Sequence, residues 1–262
     1  MKRAKILIIG AMETELRDLL TYFRCKSISK VKDYYPMWSA ENTIGFDLNV
    51  LQTYVGDTNA AISTSLALQS LSPDYVFKIG CVGGNSQGIH TGDLLSPLGL
   101  FHSGSWITRS RQDNNPTSDA SKWKSVFGEL PYQVNNENLG SHPYFIDVNQ
   151  TLSDKFIGYF NKRENPPISS YVGGGNMWFF DKAFMENVAI THIPGNNPNQ
   201  VWAGDMESYS IAQACAVFNI PFFGFYKVSN SDFYGEPYIP EKVAKLFDLK
   251  FIEDVDKFLN SL

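Results

Sequence analysis

The sequence has few charged residues, and it has no long hydrophobic run. Charged side chains make up 19% of its 262 residues, below the roughly 25% of an average globular domain. The net charge is −5 at pH 7, and the lysines and arginines form no block of the kind that binds nucleic acid. No stretch approaches the roughly 18 apolar residues of a membrane-spanning helix. We therefore predict a chain that binds neither nucleic acid nor membrane.

Cysteine is also scarce. The chain has three cysteines, Cys25, Cys81 and Cys215. This small and odd number argues against a disulfide framework. This scarcity predicts a reducing compartment, the cytoplasm. No CxxC pair or His/Cys cluster has the spacing of a metal site, and no motif implies an organic cofactor. The apolar run ILIIGAM meets Glu13 and Glu15 at once, which predicts a first strand rather than a signal peptide.

Hydrophobic residues are present in the amount that a full core needs, at 43% of the chain. Their spacing alternates between short apolar runs and helical stripes, and no repeat or linker divides the chain. Predicted strands cover 4–10, 34–40, 44–54, 75–80, 92–100, 167–173, 188–193 and 220–229, and predicted helices cover 13–23, 59–71, 208–218 and 242–262. This order predicts a single α/β domain with a central mixed, mostly parallel sheet flanked by helices.

One segment, residues 102–140, does not follow this alternation. It is polar and contains Trp106, Trp123 and an Asn-Asn-Pro sequence. Long irregular segments in compact domains are often functional loops. We therefore predict an irregular loop here, with a role in function or in partner contact.

Ligands of such sheets bind beyond the carboxyl ends of the strands. Four loops follow predicted strands there, and a fifth motif opens a helix nearby. Their sequences are GAMETE, CVGGN, GGGNMWFF, SNSDF and GDMES. We expect these five segments to meet at one site.

Each loop has a structural and a functional interpretation. Glu13 and Glu15 could complement a helix dipole, or one of them could activate a water as a general base. Cys81 is better explained as a small buried residue than as a nucleophile. The glycine run before Met177 suits either core packing or a flat ring bound by an aromatic side chain. In GDMES, Glu207 could lie in a helical first turn or accept hydrogen bonds from two sugar hydroxyls.

Taken in order, these motifs resemble a known superfamily. IIGAMETEL, GDTNAA, KIGCVGG, GGGNMWF, GDMESYSIAQACAVFNIPF and VSN are similar to the nucleoside phosphorylase/nucleosidase superfamily, and most of all to its 5′-methylthioadenosine/S-adenosylhomocysteine nucleosidase branch. The similarity extends from about residue 4 to about 232, without the 102–140 segment. It implies a nucleoside phosphorylase-like fold and hydrolysis of the N-glycosidic bond of a purine nucleoside.

The resemblance also implies roles for individual residues. Glu15 corresponds to the residue that activates the attacking water. Trp178 and Phe179 correspond to the base pocket, Met206 would lie against the ribose, and Glu207 would accept from the 2′- and 3′-hydroxyls. Asp205 is then left as the helix cap. The remaining implied substrate-binding residues are Cys81 and Gly83 in the glycine turn beside the ribose, and Ser229 at the end of the late strand.

The sequence departs from the nucleosidase pattern where the family has a Ser-Asp pair whose aspartate is the general acid. This chain has Ser229-Asn230, and an amide does not give up a proton at neutral pH. Three interpretations follow. Asn230 could read a 6-oxopurine, Asp232 could supply the proton instead, or the protein could be a weakly active or inactive nucleoside-binding relative.

Phosphorolysis is the alternative to hydrolysis. Phosphorylases of the superfamily present arginines to phosphate, but the position that often carries one is Tyr226 here, and Arg17 lies on a predicted helix. Arg109 and Arg111 of the long segment could replace them. The resemblance further implies a homodimer or larger homo-oligomer in which a partner closes the pocket, with Trp106 and Trp123 in the contact.

Overall fold

The computed structural model describes residues 3–40, 43, 45–126 and 145–262. These residues form one ten-stranded sheet with helices packed against it, and a separate two-stranded sheet. No helix within these ranges is long and apolar enough to cross a membrane. The predicted fold class, a single α/β domain with a mixed sheet flanked by helices, is confirmed.

The elements are as follows in chain order. The strands are β1 (Ala4–Gly10), β2 (Cys25–Val31), β3 (Tyr35–Ala40), β4 (Phe46–Gln52), β5 (Tyr75–Gly84), β6 (Leu94–His102), β7 (Trp106–Ser110), β8 (Trp123–Ser125), β9 (Phe145–Asp147), β10 (Ile168–Gly174), β11 (Trp202–Asp205) and β12 (Phe222–Ser231). The α-helices are α1 (Glu13–Tyr22), α2 (Asp57–Leu71), α3 (Gln150–Phe160), α4 (Lys182–His192), α5 (Ser208–Val217), α6 (Pro240–Val243) and α7 (Leu249–Leu259).

The sheet is buried on both faces, because helices pack on each side of it. Successive side chains of a strand point to opposite sides, so one strand contributes to both cores. Ile6 and Ile8 of β1 pack in a core with α1, α3 and α7. Leu7 and Ile9 of the same strand pack in a second core with α2 and α5. This two-sided burial explains why AKILIIG is an apolar run rather than an alternating one.

The strand order is β11-β10-β6-β12-β5-β1-β4-β3-β2, with β9 paired to β6. The consecutive strands β12, β5, β1 and β4 pair parallel with one another, whereas β12 with β6 and β4 with β3 pair antiparallel. A further pairing of β11 with β5 closes β5, β12, β6, β10 and β11 into a ring. Each of these strands contributes to a small core of Val82, Leu95, Val172, Ala203, Tyr226 and Val228.

One predicted strand is wrong. Residues 188–193 lie mainly in α4, which begins at an Asp181 cap that accepts from the Phe184 amide at 2.8 Å. The buried residues of this helix include Phe184, Met185, Val188 and Ala189, which recur with helical spacing. The short apolar run was ambiguous by itself, and the helical period becomes evident only in the longer window. The predicted helix 242–262 is interrupted and becomes α6 and α7. The sequence did not predict three further elements, β2, α3 and β11.

The 102–140 segment begins with regular structure. Strands β7 and β8 pair antiparallel as the two-stranded sheet. Trp106 and Trp123 are half-buried, and their ring centroids lie 4.8 and 5.7 Å from that of Phe184. Both tryptophans therefore pack partly against their own chain, and the predicted partner contact stays a prediction. Residues 127–140 of the predicted loop lie outside the described residues.

Candidate active site

A cavity of about 280 Å³ lies at the carboxyl ends of β1, β5, β11 and β12. The parallel strands β1, β5 and β12 bring their ends to one edge of the sheet, as expected from the fold class, and β11 meets the end of β5 there by antiparallel pairing. The described residues that line it are Ala11, Met12, Glu15, Val55, Cys81, Val82, Gly83, Asn85, Met177, Trp178, Phe179, Gly204, Asp205, Met206, Glu207, Ser229, Asn230, Asp232 and Tyr238.

All ten residues that the sequence nominated for the site line this one cavity. They are Glu15, Cys81, Gly83, Trp178, Phe179, Met206, Glu207, Ser229, Asn230 and Asp232. Their meeting confirms the expected convergence of the five loops. The role of each residue stays a prediction, and the geometry below limits what each one can do.

Glu15 is held rigidly at the start of α1. Its side chain is buried, and one oxygen, Oε2, accepts from the backbone amides of Ala11 and Met12, both at 2.9 Å. The other oxygen, Oε1, accepts from the Cys81 amide at 2.8 Å. Burial raises the pKa of Glu15, and the positive charge of Lys78 and these three amides oppose that rise. The carboxylate is thereby fixed in orientation with little mobility.

Glu207 is the second buried carboxylate, at the cap position of α5. Its Oε1 accepts from the Gly56 amide at 2.9 Å, and its Oε2 lies 3.1 Å from Lys78 Nζ. Burial raises the pKa of Glu207, the Lys78 charge lowers it, and the neighbouring Asp205 raises it. The two oxygens are therefore anchored from different parts of the chain.

Glu207 occupies the N-cap position of α5 but its side chain makes no capping hydrogen bond; Asp205, two residues earlier, supplies the side-chain cap as predicted and also binds Lys78. Its Oδ1 accepts from the Ser208 amide at 3.1 Å, and the Ser208 hydroxyl donates to Oδ2. Lys78 Nζ donates to the same Oδ2. An oxygen acceptor at this point satisfies an amide that the first turn of a helix leaves without a partner.

Ser229, Asn230 and Asp232 form a hydrogen-bonded chain along the end of β12. The Ser229 hydroxyl donates to Asn230 Oδ1 at 2.8 Å, and Asn230 Nδ2 donates to Asp232 Oδ2 at 3.0 Å. The indole Nε1 of Trp178 donates to the same carboxylate oxygen at 2.7 Å. Partial burial raises the pKa of Asp232, although these two donors oppose the rise. Asp232 thus retains a proton more readily than an ordinary aspartate.

Close approach at Gly83 makes this arrangement possible. A Cβ atom at Gly83 would lie 3.2 Å from Asn230 Nδ2 and 3.5 Å from Asp232 Oδ2.

Cys81, two residues before Gly83, is a thiol, because burial and the nearby Glu15 charge raise its pKa far above the ordinary value. The interpretation of Cys81 as a small buried residue fits this environment, and a thiolate nucleophile does not.

The two aromatic residues of the expected base pocket differ in environment. Trp178 is 52% exposed and stacks parallel to Phe180, with the ring centroids 6.1 Å apart. Phe179 is buried and meets Trp202 edge to face, with the centroids 5.3 Å apart. Both line the cavity, so one wall is flat, apolar and partly open.

The arginines that the sequence offered for phosphate lie elsewhere. Arg111 donates to Asn187 Oδ1 at 3.0 Å, and Arg109 forms a backbone bridge with Pro116. Neither lines the cavity. Their position beside α4 and the two-stranded sheet argues against the phosphate site considered for them.

Sequence reasoning missed Lys78. It lies in the middle of β5, and its side chain is 1% exposed. A signal was present, because Lys78 is the charged residue within the otherwise apolar strand YVFKIG, and lysines are almost never fully buried unless they are paired. The pairing partners, Asp205 and Glu207, could not be identified from the sequence.

Comparison with known proteins identifies the family of the chain. The sequence model of the Phosphorylase superfamily matches residues 5–246. The 5′-methylthioadenosine/S-adenosylhomocysteine nucleosidase of Haemophilus influenzae (strain PittGG) is 28% identical over 219 residues, which cover 83% of this chain and 82% of that protein. This similarity and the superfamily match confirm the resemblance drawn from the motifs.

Solved structures share the fold. The crystal structure of the Campylobacter jejuni 5′-methylthioadenosine/S-adenosylhomocysteine nucleosidase has a TM-score of 0.76 and 19% identity, covering 99% of this chain and 100% of that chain. The native futalosine hydrolase of Helicobacter pylori strain 26695 has a TM-score of 0.72 and 16% identity, covering 100% of both chains. With the superfamily match extending over residues 5–246, this chain belongs to the Phosphorylase superfamily.

Proposed function

We propose that this protein is a purine nucleosidase that hydrolyses the N-glycosidic bond of a nucleoside like 5′-methylthioadenosine or S-adenosylhomocysteine. The observation that carries the proposal is the pair Glu15 and Glu207. Both are buried, both line one cavity, and both have each oxygen fixed by a donor from the protein. The similarity to curated nucleosidases supports the reaction class.

Glu15 is suited to activate water. A carboxylate has about four acceptor positions on its two oxygens, and three backbone amides occupy two on Oε2 and one on Oε1. Oε1, which accepts from only one of these amides, can also accept a hydrogen bond from a water held near the sugar. As that water attacks, Glu15 takes its proton as general base.

Glu207 is suited to bind the ribose. Each of its oxygens already accepts once from the protein, so each keeps a position for one sugar hydroxyl. The 2′- and 3′-hydroxyls are adjacent and can meet the two oxygens together. The same negative charge stabilises the positive charge that develops on the sugar when the glycosidic bond lengthens.

Asp232 is the group that we propose protonates the departing purine. Asn230 has no proton to give up, but its amide holds Asp232 at 3.0 Å, and burial raises the pKa of that acid. In the step, the C1′–N bond breaks and its electron pair moves to the purine, which receives the Asp232 proton. Water forms the new C1′–O bond and loses a proton to Glu15, and solvent restores both carboxyl groups.

Hydrolysis is favoured over phosphorolysis by the charge of the site. Among the described residues that line the cavity, there is no arginine, lysine or histidine, whereas four carboxylates are present: Glu15, Asp205, Glu207 and Asp232. A phosphate dianion would meet repulsion there, because the buried Lys78 is already paired with Asp205 and Glu207 and the described lining residues offer no further cation. Neutral water meets no such barrier.

We further propose a homodimer or larger homo-oligomer in the cytoplasm. Trp178 and Phe180 are 52% and 74% exposed beside the cavity, and exposed aromatic pairs are typical of interface centres. The cysteines Cys25, Cys81 and Cys215 are free, which is compatible with a reducing compartment. Analytical ultracentrifugation of the wild type and a Phe180→Ser variant would test the assembly, and a monomer at micromolar concentration would contradict it.

The function is tested by release of free base. The purified protein is incubated with methylthioadenosine, S-adenosylhomocysteine, adenosine, inosine and futalosine, each with and without phosphate, and the products are separated by chromatography. We expect base release without phosphate, and incorporation of ¹⁸O from labelled water at C1′ of the sugar product. A Glu15→Gln variant is the matched control for contaminating nucleosidases.

The outcomes separate the candidate functions. Release that requires phosphate would replace hydrolysis by phosphorolysis. Binding without release in every reaction would identify a non-catalytic nucleoside-binding relative. Preference for inosine over adenosine would mean that Asn230 reads the base edge of a 6-oxopurine, and preference for methylthioadenosine would support the nucleosidase substrate class.

A further inference from the structure

A fully buried lysine lies directly behind the proposed ribose-binding carboxylate. Lys78 does not line the cavity, yet its Nζ is 3.1 Å from Glu207 Oε2 and also donates to Asp205 Oδ2. Its side chain is 1% exposed. A cation in such a position is stable only when its charge is compensated, so the lysine and the two carboxylates form one unit.

The path of the lysine side chain is built into the sheet. Val76 and Val82 of β5 point to the side of the strand from which Lys78 also extends, whereas Phe77 and Ile79 pack in the opposite core. A Cβ atom at Gly80 would lie 2.6 Å from Lys78 Cε. Glycine at position 80 therefore leaves the space that the lysine stem occupies.

The charges around Lys78 come from four elements. Asp205 and Glu207 contact its ammonium group directly. The Glu15 carboxylate and the Tyr226 hydroxyl also contribute to its electrostatic environment. Although burial acts to lower the pKa of Lys78, attraction to these groups outweighs burial and holds the pKa well above the ordinary value. The lysine is thus a permanent positive charge.

We propose that Lys78 is a positioning residue for ribose recognition: its ammonium group keeps Glu207 ionised and fixes Oε2, so that both oxygens accept from the sugar hydroxyls. This inference rests on the proposed ribose role of Glu207. Without the lysine, two adjacent buried carboxylates would remain, and one of them would take up a proton. A protonated or rotated Glu207 would lose an acceptor position that the ribose needs.

Asp205 provides the control for this idea. It shares the same lysine but binds the start of α5, through the amide and hydroxyl of Ser208. Asp205→Asn therefore disturbs the ion cluster while leaving the contact between Lys78 and Glu207. Lys78→Met removes that contact and keeps a side chain of similar length.

The test measures how much the 2′-hydroxyl contributes to binding. The probes are a C-nucleoside analogue of adenosine, whose carbon–carbon glycosidic bond is not hydrolysed, and its 2′-deoxy counterpart, both titrated by calorimetry. In the wild type, we expect the 2′-deoxy analogue to bind about 10- to 100-fold more weakly, because it lacks a hydrogen bond to a charged acceptor. In Lys78→Met, this ratio should fall to about threefold or less, and in Asp205→Asn it should remain near the wild-type ratio.

A merely structural lysine would give a different pattern. If Lys78→Met lowers the melting temperature but keeps the wild-type ratio, the proposal is overturned. If Lys78→Met does not fold, the double variant Lys78→Met/Asp205→Asn, which leaves one buried carboxylate fewer, is measured instead, and its ratio should fall as well because Glu207 Oε2 still lacks the ammonium group that fixes it. If wild-type protein binds both analogues equally, the ribose role of Glu207 and the role of Lys78 are both wrong, whereas hydrolysis is judged separately from base release.

Discussion

The amide of Asn230 donates to Asp232 Oδ2 at 3.0 Å, so the residue found in place of the expected acid is bound to another carboxyl group two residues along the chain. Both side chains line the cavity. The motif by itself therefore has an amide, Asn230, at the position where the family has its proton donor. In the folded chain, the carboxyl group of Asp232 lies beside that amide. The fold therefore places a carboxyl group that can donate a proton beside the position where the motif lacks one.

Asp232→Asn tests that acid directly. We expect kcat for base release to fall by about 10² to 10⁴-fold, the usual contribution of general acid catalysis, with a much smaller change in KM. Asn230→Ala is the matched control, since it removes the neighbouring amide but leaves the carboxyl group, and its loss should be smaller. Equal losses in the two variants, or wild-type turnover in Asp232→Asn, would assign the proton to another group.

Trp178→Phe tests the pKa of the same group. The indole donates to Asp232 at 2.7 Å, and this hydrogen bond favours the ionised carboxylate and lowers its pKa. Without the donor, the pKa rises, and Asp232 holds its proton to higher pH. The alkaline limb of the kcat/KM profile should therefore move to higher pH. Trp38→Phe, the same change at a tryptophan that does not line the cavity, should leave the limb in place.

The acid limb of the same profile should report Glu15. A general base must be ionised, and burial raises the pKa of Glu15 above the ordinary value for glutamate. Activity should therefore rise with pH through a transition above the ordinary glutamate value of about 4.3.

Glu15→Gln should lower turnover by about 10² to 10⁴-fold in the pH range where wild-type Glu15 is ionised, and the acid limb should disappear from its profile. The side-chain NH₂ group of the glutamine would also face one of the backbone N–H groups that now donate to the Glu15 carboxylate, where two donors would meet. Glu13→Gln, at an exposed position of the same helical turn, should retain wild-type activity. Equal effects of the two substitutions would exclude Glu15 as the base.

Glu207→Gln should weaken substrate binding as well as turnover. One of its two acceptors becomes a donor, so the enzyme should lose about 10- to 100-fold in binding the ribonucleoside. It should lose further in kcat, because the negative charge that stabilises the sugar cation is removed. The measurement is steady-state kinetics with a ribonucleoside and its 2′-deoxy form, with the melting temperature as a check on folding. Unchanged turnover would exclude Glu207 as the sugar ligand.

Element type was predicted correctly for β1 and α1, whose patterns are long. AKILIIG is apolar on both sides and became the buried strand β1, and the stripe after Glu13 became α1. The short run at 188–193 was predicted as a strand but lies mainly in α4, because its helical period depends on Phe184 and Met185 upstream. Short apolar runs do not distinguish the two periods.

What the sequence by itself determined was the local chemistry. Strand and helix periodicity defined the α/β class, and the motifs after the strands nominated ten residues that line one cavity. The tertiary structure decided the contacts between distant positions: Lys78 with Glu207, 129 residues apart, and Trp178 with Asp232, 54 residues apart. Periodicity records only which face of an element is buried. The partner of a buried charge depends on how strands pair, and here the pairing of β11 with β5 brings the carboxylates of GDMES to the lysine.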